Sequence, residues 1–368
     1  MLDSSEMRSW LALFTVPKIG PVRYIFLVKH FGSPERVLSA SKGKLAELPD
    51  IGPVIASNIK NKVSWEKAEE QLKLMQKYQV QMVNFKDEDY PENLASIYDP
   101  PPFLFVKGEI RKEDQNAVAI VGCRSASPYG KRITERIGRE LAGRGITIVS
   151  GLARGIDSIG HLSALKENGR TLAVFGSGLD IIYPRENKKL AEQITSSGAI
   201  LSEFLLGTKP EAPNFPRRNR LISGLCLGVV IVEAGTKSGA LVTARCALEQ
   251  NREVFAIPGN LEAKNSEGTN KLIKQGAKLV TSVEDILEEL RIITKGGKSS
   301  SSVLTEEDLS HLSEKEKNVF KLISDEPNHI DKIATQAAIS VSEALSLLLS
   351  LELKDLVKQL SGKMFVRA

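Results

Sequence analysis

The sequence predicts an α/β protein: an extended Rossmann-like, doubly wound parallel sheet, preceded by a helical domain and followed by a winged helix. Three observations predict it. Six short apolar runs rich in β-branched residues alternate with helical segments between residues 117 and 275, as parallel strands covered on both faces do. Five of those runs end in a glycine-bearing loop, and four of the loops lead to a basic residue. Apolar residues are 42% and charged residues 26% of a 368-residue chain, enough to bury a core and too apolar for disorder.

The elements follow in order. Residues 1–84 read as short helices. Two similar turns, Lys18-Ile19-Gly20-Pro21 and Asp50-Ile51-Gly52-Pro53, each precede a helical apolar pattern such as Tyr24, Leu27, Val28 and Phe31. Proline just inside a helix start, with glycine before it, is a start signal. The repeat resembles helix-hairpin-helix turns, which can hold a DNA phosphate at a helix N-terminus; the alternative is an αα-hairpin with no ligand. Residues 85–115, with Asp99-Pro100-Pro101-Pro102, form an irregular connector leading into a short strand at 103–107. The six apolar runs lie at 117–121, 146–150, 171–175, 199–202, 229–233 and 254–257. Right-handed crossovers make residues 85–293 one doubly wound domain. Residues 294–302, rich in Gly, Lys and Ser, read as a flexible linker. Residues 303–368 read as three helices and a hairpin around Ser361-Gly362-Lys363, a winged-helix pattern.

Ligands of a parallel sheet bind outside the carboxyl ends of the strands. There the sequence places Gly122, Arg124 and Ser125; then Gly151, Arg154 and Gly155; then Gly176, Ser177 and Gly178, with Arg185 beyond Tyr183-Pro184. The fifth strand leads into Gly235, Lys237, Ser238 and Gly239. Between the fourth and fifth strands, Pro216 puts Arg217, Arg218 and Arg220 at a helix start beside Phe215 and Asn219. Glycine lets a backbone approach a ligand, helix N-termini favour anions, and arginine adds a planar donor fork suited to phosphate. The chain carries 50 basic and 45 acidic side chains, net +5, but residues 123–225 alone hold 16 and 9, net +7. The positive field is therefore concentrated where these loops lie.

The dinucleotide fingerprint GxGxxG and the Walker A loop are both absent. A basic set spread over several loops fits a polyanion, and single-stranded nucleic acid is the natural candidate. Aromatic residues are 5%, with Phe215 and Tyr183 the best stackers, so phosphate contacts should carry the affinity with little sequence preference. Three scattered cysteines, four histidines and no CxxC argue against a disulfide framework or a zinc site; no metal or cofactor is expected, and the reducing cytoplasm is the default compartment. No run approaches the ~20 apolar residues of a membrane span. No signal peptide is expected behind Asp3 and Glu6.

Three long motifs carry a resemblance: Ser150-Gly-Leu-Ala-Arg-Gly-Ile-Asp157, Phe215-Pro-Arg-Arg-Asn-Arg-Leu-Ile-Ser-Gly224, and Glu233-Ala-Gly-Thr-Lys-Ser-Gly-Ala-Leu-Val-Thr-Ala244. With Gly176-Ser-Gly-Leu-Asp180 and Val254-Phe-Ala-Ile-Pro-Gly259 they closely resemble the bacterial DNA-processing protein A (Smf) family over roughly residues 85–290. The flanking segments suit that family's sterile-alpha-motif-like N-terminus and winged-helix C-terminus. The resemblance implies a non-enzymatic homodimer that coats incoming single-stranded DNA in natural transformation. It further implies loading of a RecA-type recombinase past single-strand binding protein, without nucleotide hydrolysis. Arg124 and Arg185 match the family's DNA-gripping positions; the second is often lysine there. The family's dimer surface lies on the Rossmann-like domain, and the stretch 221–230 is either near it or core.

Plainer readings stand beside these. The loop glycines can be ordinary strand-to-helix turns, and Arg154 either binds phosphate or pairs with Asp157 or Asp180. Lys131, Arg132, Arg136 and Arg139 space as a solvated helix face, and His161 reads as structural. Glu233 is expected to order the loop that follows it through backbone N–H groups. The winged helix, net −3 over residues 301–368, is expected to contact protein rather than duplex phosphates. The rival function is a nucleotide-binding protein or nucleotide N-glycosidase of a related Rossmann-like fold, from whose Pro-Gly-Gly-x-Gly-Thr loop Pro258-Gly259-Asn260 departs; a third reading is a pure scaffold with a vestigial cleft.

Overall fold

The computed structural model describes residues 4–290, 312–323, 328–354, 356–360 and 363–367. The expected linker at 294–302 and the Ser361-Gly362 turn lie outside the described residues.

Nine strands form one sheet: β1 Gln81–Asn84, β2 Phe103–Gly108, β3 Ala117–Val121, β4 Thr147–Ser150, β5 Thr171–Val174, β6 Gly198–Ser202, β7 Gly228–Ile231, β8 Glu253–Ala256 and β9 Lys278–Leu279. Their order is β1-β2-β6-β5-β4-β3-β7-β8-β9. From β6 to β9 every pairing is parallel; β1 and β2 add an antiparallel edge through β6. Each of the six predicted central strands is present, whereas β1 and the two-residue β9 are additions that their short, polar-flanked sequences do not signal.

The alternation along β3 shows why the sheet is covered on both faces. Val118 and Ile120 pack into one core with Ile137, Leu141 and Phe255, while Ala117, Ala119 and Val121 pack into another with Leu221, Ile222 and Ala244. Successive side chains of a strand point to opposite faces, so helices must lie on each. One is Pro128–Gly143, started by Ser127, whose hydroxyl accepts from the Gly130 N–H at 3.0 Å.

Residues 4–290 belong to one compact unit, in which the N-terminal helices share buried packing with β2. Trp10, Phe14 and Tyr24 of the N-terminal helices pack their rings onto Phe103 of β2, with centroids 6.4, 4.9 and 6.3 Å away. Pairs of this kind add about 0.5–1.5 kcal/mol each beyond area burial, and the Tyr24 hydroxyl is satisfied by the Trp10 carbonyl oxygen at 2.7 Å. The two Gly-Pro turns are tied to each other: Arg23 donates to the carbonyl oxygens of Asp50 at 3.0 Å and Lys18 at 3.2 Å.

The second unit, from residue 293 on, has its own core of Phe320, Ile330, Ile333, Leu348, Leu351 and Phe365. Its helices Glu314–Lys321, Ile330–Ala337 and Val341–Leu353 and its hairpin Val357–Leu360 with Met364–Arg367 make a winged helix. Among the described residues no single helix is long and apolar enough to cross a membrane.

From β3 the chain steps outward through β4, β5 and β6 on one side, then crosses to β7, β8 and β9 on the other. The carboxyl ends of β3 and β7 are therefore the topological switch point, where an open α/β sheet leaves a crevice for ligands.

Candidate nucleic-acid interface

A cleft of 710 Å³ opens at that switch point, lined among others by Gly122, Arg124, Phe215, Arg218, Lys237 and Lys264. A smaller hollow adjoins it and shares Arg124, Phe215 and Arg218, adding Arg154 and Tyr183.

The loop after β3 is held by Glu233, which is 3% exposed at the end of the β7 run. Its carbonyl oxygen accepts the Cys123 N–H at 2.8 Å, and its carboxylate accepts the Ser127 N–H at 2.9 Å and the Ser127 hydroxyl. Glu233 thus orders a loop, as expected, but the one after β3 rather than its own. The Cys123 thiol also points at this carboxylate, 3.3 Å away. Burial, then that contact, pushes the thiol up to about 12, so it carries no nucleophilic thiolate at neutral pH.

The loop after β4 is built round Gly155, whose φ of +73° favours glycine and whose Cβ would stand 2.4 Å from the Cys123 carbonyl oxygen. Asp157, buried one residue into the next helix, accepts the N–H groups of Gly151 at 3.2 Å and Ala153 at 3.3 Å. Burial raises its carboxyl, and Arg218 opposes that rise.

Helix Asn214–Gly224 divides its arginines by face. Arg218 points under the cleft and is 5% exposed. Its guanidinium donates to the carbonyl oxygens of Gly151, at 2.9 Å, and Val174, so one cation joins the ends of β4 and β5. Burial pulls it down to about 10, still protonated at neutral pH. The Phe215 ring lies between the small hollow and the cleft, with the guanidinium carbons of Arg124 and Arg218 at 5.8 and 5.9 Å from its centroid and Tyr183 at 5.7 Å. Asn219 donates to the Gly239 carbonyl oxygen at 3.3 Å and so ties this helix to Gly239–Glu249. The N-terminus of Gly239–Glu249 opens into the cleft, with Ser238 as its cap and open space around Gly239.

Several predicted site residues lie elsewhere or are already engaged. Arg217 and Arg220 both pair with the buried Glu203, at 3.2 and 2.5 Å, and Arg220 also meets Asp99 at 3.3 Å. Neither lines the cleft: at 100° per residue they fall off the face that carries Phe215, Arg218, Asn219 and Ile222. Arg154 is paired, but with Glu186 at 2.6 and 2.7 Å rather than with Asp157 or Asp180. The Ser177 hydroxyl donates inward to the Ile181 carbonyl oxygen at 2.8 Å, and the Gly178 N–H donates to Thr208 at 2.9 Å. Gly176 admits the protein's own Phe215, 2.9 Å from where a Cβ would stand. Arg185 is exposed beyond the cis Tyr183-Pro184 bond and does not line the cleft. In the stretch 221–230, Leu221, Ile222, Leu225, Cys226, Val229 and Val230 are buried core.

Three cations remain around the cleft whose side chains have no hydrogen bond or ion pair among the described residues: Arg124, Lys237 and Lys264, all exposed. Sequence reading missed Lys264. It sits in the connector after β8, where only its proximity to Pro258-Gly259 could have marked it.

Residues 81–291 match the family described as DNA recombination-mediator protein A, residues 305–363 its winged-helix domain, and residues 11–63 a SAM-like helix-hairpin-helix tandem. Protein Smf of Synechocystis is 36% identical over 401 residues, covering the whole of both chains. The X-ray structure of DNA processing protein A from Streptococcus pneumoniae is 34% identical with a TM-score of 0.67, over 78% of this chain and 98% of that one. DNA processing protein A from Helicobacter pylori, described for its single-stranded DNA binding mode, is 34% identical with a TM-score of 0.53, over 58% of this chain and 96% of that one. In fold, motifs and sequence, the chain belongs to the DNA recombination-mediator protein A (DprA/Smf) family.

Proposed function

We propose that this chain binds single-stranded DNA at the switch-point cleft without sequence preference, as a non-enzymatic mediator that loads a RecA-type recombinase in transformation and recombination. The observation that carries this reading is the set of exposed cations Arg124, Lys237 and Lys264, none in an ion pair among the described residues, round a cleft into which one helix N-terminus opens. Such an edge attracts phosphates at any base sequence. Phe215 and Tyr183 offer a small stacking surface, so backbone contacts dominate affinity. Arg185, exposed two residues beyond Tyr183, is read as extending the track. The reading includes a homodimer acting in the cytoplasm on strands held by single-strand binding protein, with the winged helix serving a protein contact.

The N-glycosidase alternative needs a carboxylate free for acid–base work. Glu233 is buried and engaged by Ser127, which takes it out of such work; Glu267, exposed on the cleft wall, is the carboxylate an enzymatic reading has to use. The test is a gel shift of an oligonucleotide, single strand against duplex, with wild type and the double variant Arg124→Glu/Arg185→Glu. The reading predicts that the double variant keeps its circular dichroism spectrum and loses the single-strand shift. Unchanged binding in the folded double variant contradicts it, as does release of free base from nucleoside monophosphates by the pure protein.

A further inference from the structure

Beside the cleft lies a second hollow, of 680 Å³, lined among others by Ser127, Tyr129, Pro258, Asn260 and Lys264. Lys264 lines both spaces. Tyr129 is 39% exposed. Its hydroxyl donates to the Pro258 carbonyl oxygen at 2.9 Å, which fixes the ring at the rim instead of leaving it to turn freely.

The opposite wall is equally fixed. Gly259 and Asn270 exchange two hydrogen bonds, at 3.1 and 3.0 Å. Asn265 donates to the Ser125 carbonyl oxygen at 3.2 Å and accepts the Ala234 N–H at 2.7 Å. The one carboxylate lining the hollow, Glu233, is buried and already engaged by Ser127. The hollow is therefore preformed, aromatic on one side and bordered by an unpaired lysine.

The Tyr183–Phe215 hollow, the main cleft and this second hollow succeed one another across the carboxyl ends of β5, β4, β3, β7 and β8. At about 4.8 Å per strand that edge runs about 19 Å, room for several nucleotides of an extended strand. We propose that a single strand leaving the cleft passes over Lys264 and seats a further nucleotide in this hollow, its base against Tyr129. The proposal rests on the single-stranded DNA reading of the cleft.

The test uses the full chain and an oligothymidylate, with Tyr129→Ala, Tyr129→Phe and Arg124→Glu, and ultraviolet cross-linking of wild type to the same oligomer carrying 5-iodouracil. Tyr129→Ala should weaken binding about tenfold, the size of one stacked base. Tyr129→Phe, which keeps the ring, should retain most of the affinity, and the cross-linked peptide should contain Tyr129. Wild-type affinity in Tyr129→Ala overturns the proposal, and if that variant does not fold, a cross-link that never reaches Tyr129 overturns it alone. In either case, loss of binding in Arg124→Glu leaves the cleft reading standing. Wild-type binding in Arg124→Glu removes the cleft reading and this proposal with it.

Discussion

Arg218 donates to the Gly151 carbonyl oxygen at 2.9 Å, and a Cβ on Gly151 would stand 2.6 Å from the same guanidinium. The glycine after β4 is small because a buried cation fills the space a side chain would take. The family motifs at 150–157 and 215–224 thus meet as one structural unit beneath the cleft. Replacing Arg218 with Met removes the donor to the Gly151 and Val174 carbonyl oxygens beneath the cleft, which should cost about 1–3 kcal/mol of stability. Urea unfolding of the two proteins measures this; equal midpoints would show that Arg218 is not structural.

Arg154 is the one predicted cation whose charge is cancelled at the edge of the site, by Glu186. Both side chains are more than half exposed, so the pair adds little stability, but it withholds a guanidinium from DNA. Glu186→Gln should bind single strands more tightly and steepen the dependence of log K on log salt by about 0.7, one more phosphate. Fluorescence anisotropy over a salt series checks it, and an unchanged slope would show that Arg154 stays out of reach.

Arg220 separates folding from binding. It is 11% exposed and shared between Glu203 and Asp99. Arg220→Ala leaves the buried Glu203 carboxylate, whose second oxygen already lacks a partner among the described residues, with only the longer contact to Arg217, and should lower the melting temperature. Its salt slope should match wild type. A changed slope with an unchanged melting temperature would place Arg220 on the DNA.

These arginines also mark what the sequence could and could not tell. The central strands were legible because continuous apolar runs bounded by glycine have one sensible home, a sheet covered on both faces. The cluster at 217–220 was legible as charge but not as direction. Helical rotation sends Arg218 under the cleft and its neighbours to Glu203, a partner more than a dozen residues earlier that no local pattern announces. Gly176 and Gly178 signalled a close approach correctly, but the approaching groups are Phe215 and the Leu205-Leu206 backbone. Lys264 was hidden because a lone lysine in a connector has no spacing to betray it.

His161 gives the pH dependence. Its Nδ1 lies 2.6 Å from the Thr171 hydroxyl, which itself donates to the Ile148 carbonyl oxygen at 2.7 Å, and its Nε2 has no partner among the described residues. Burial, then Arg218, pulls the imidazole from its ordinary 6.5 down to about 3. Between those values the unfolded chain binds the proton and the folded one does not. Stability is therefore lost as pH falls from 6.5 toward 3, by at most about 1.4 kcal/mol per pH unit from this group. Denaturant unfolding across that window should show a shallower pH slope in His161→Gln than in wild type; identical slopes would rule out His161 as the source.

The central claim, that exposed cations on one sheet edge hold a strand by its phosphates, is tested most directly by the salt dependence of oligothymidylate binding. Contacts from Arg124, Arg185, Lys237 and Lys264 predict a slope of log K against log salt near about −3, falling in magnitude by about 1.4 in Arg124→Ala/Lys237→Ala. A slope near zero in wild type, or one that the double variant leaves unchanged, would contradict it.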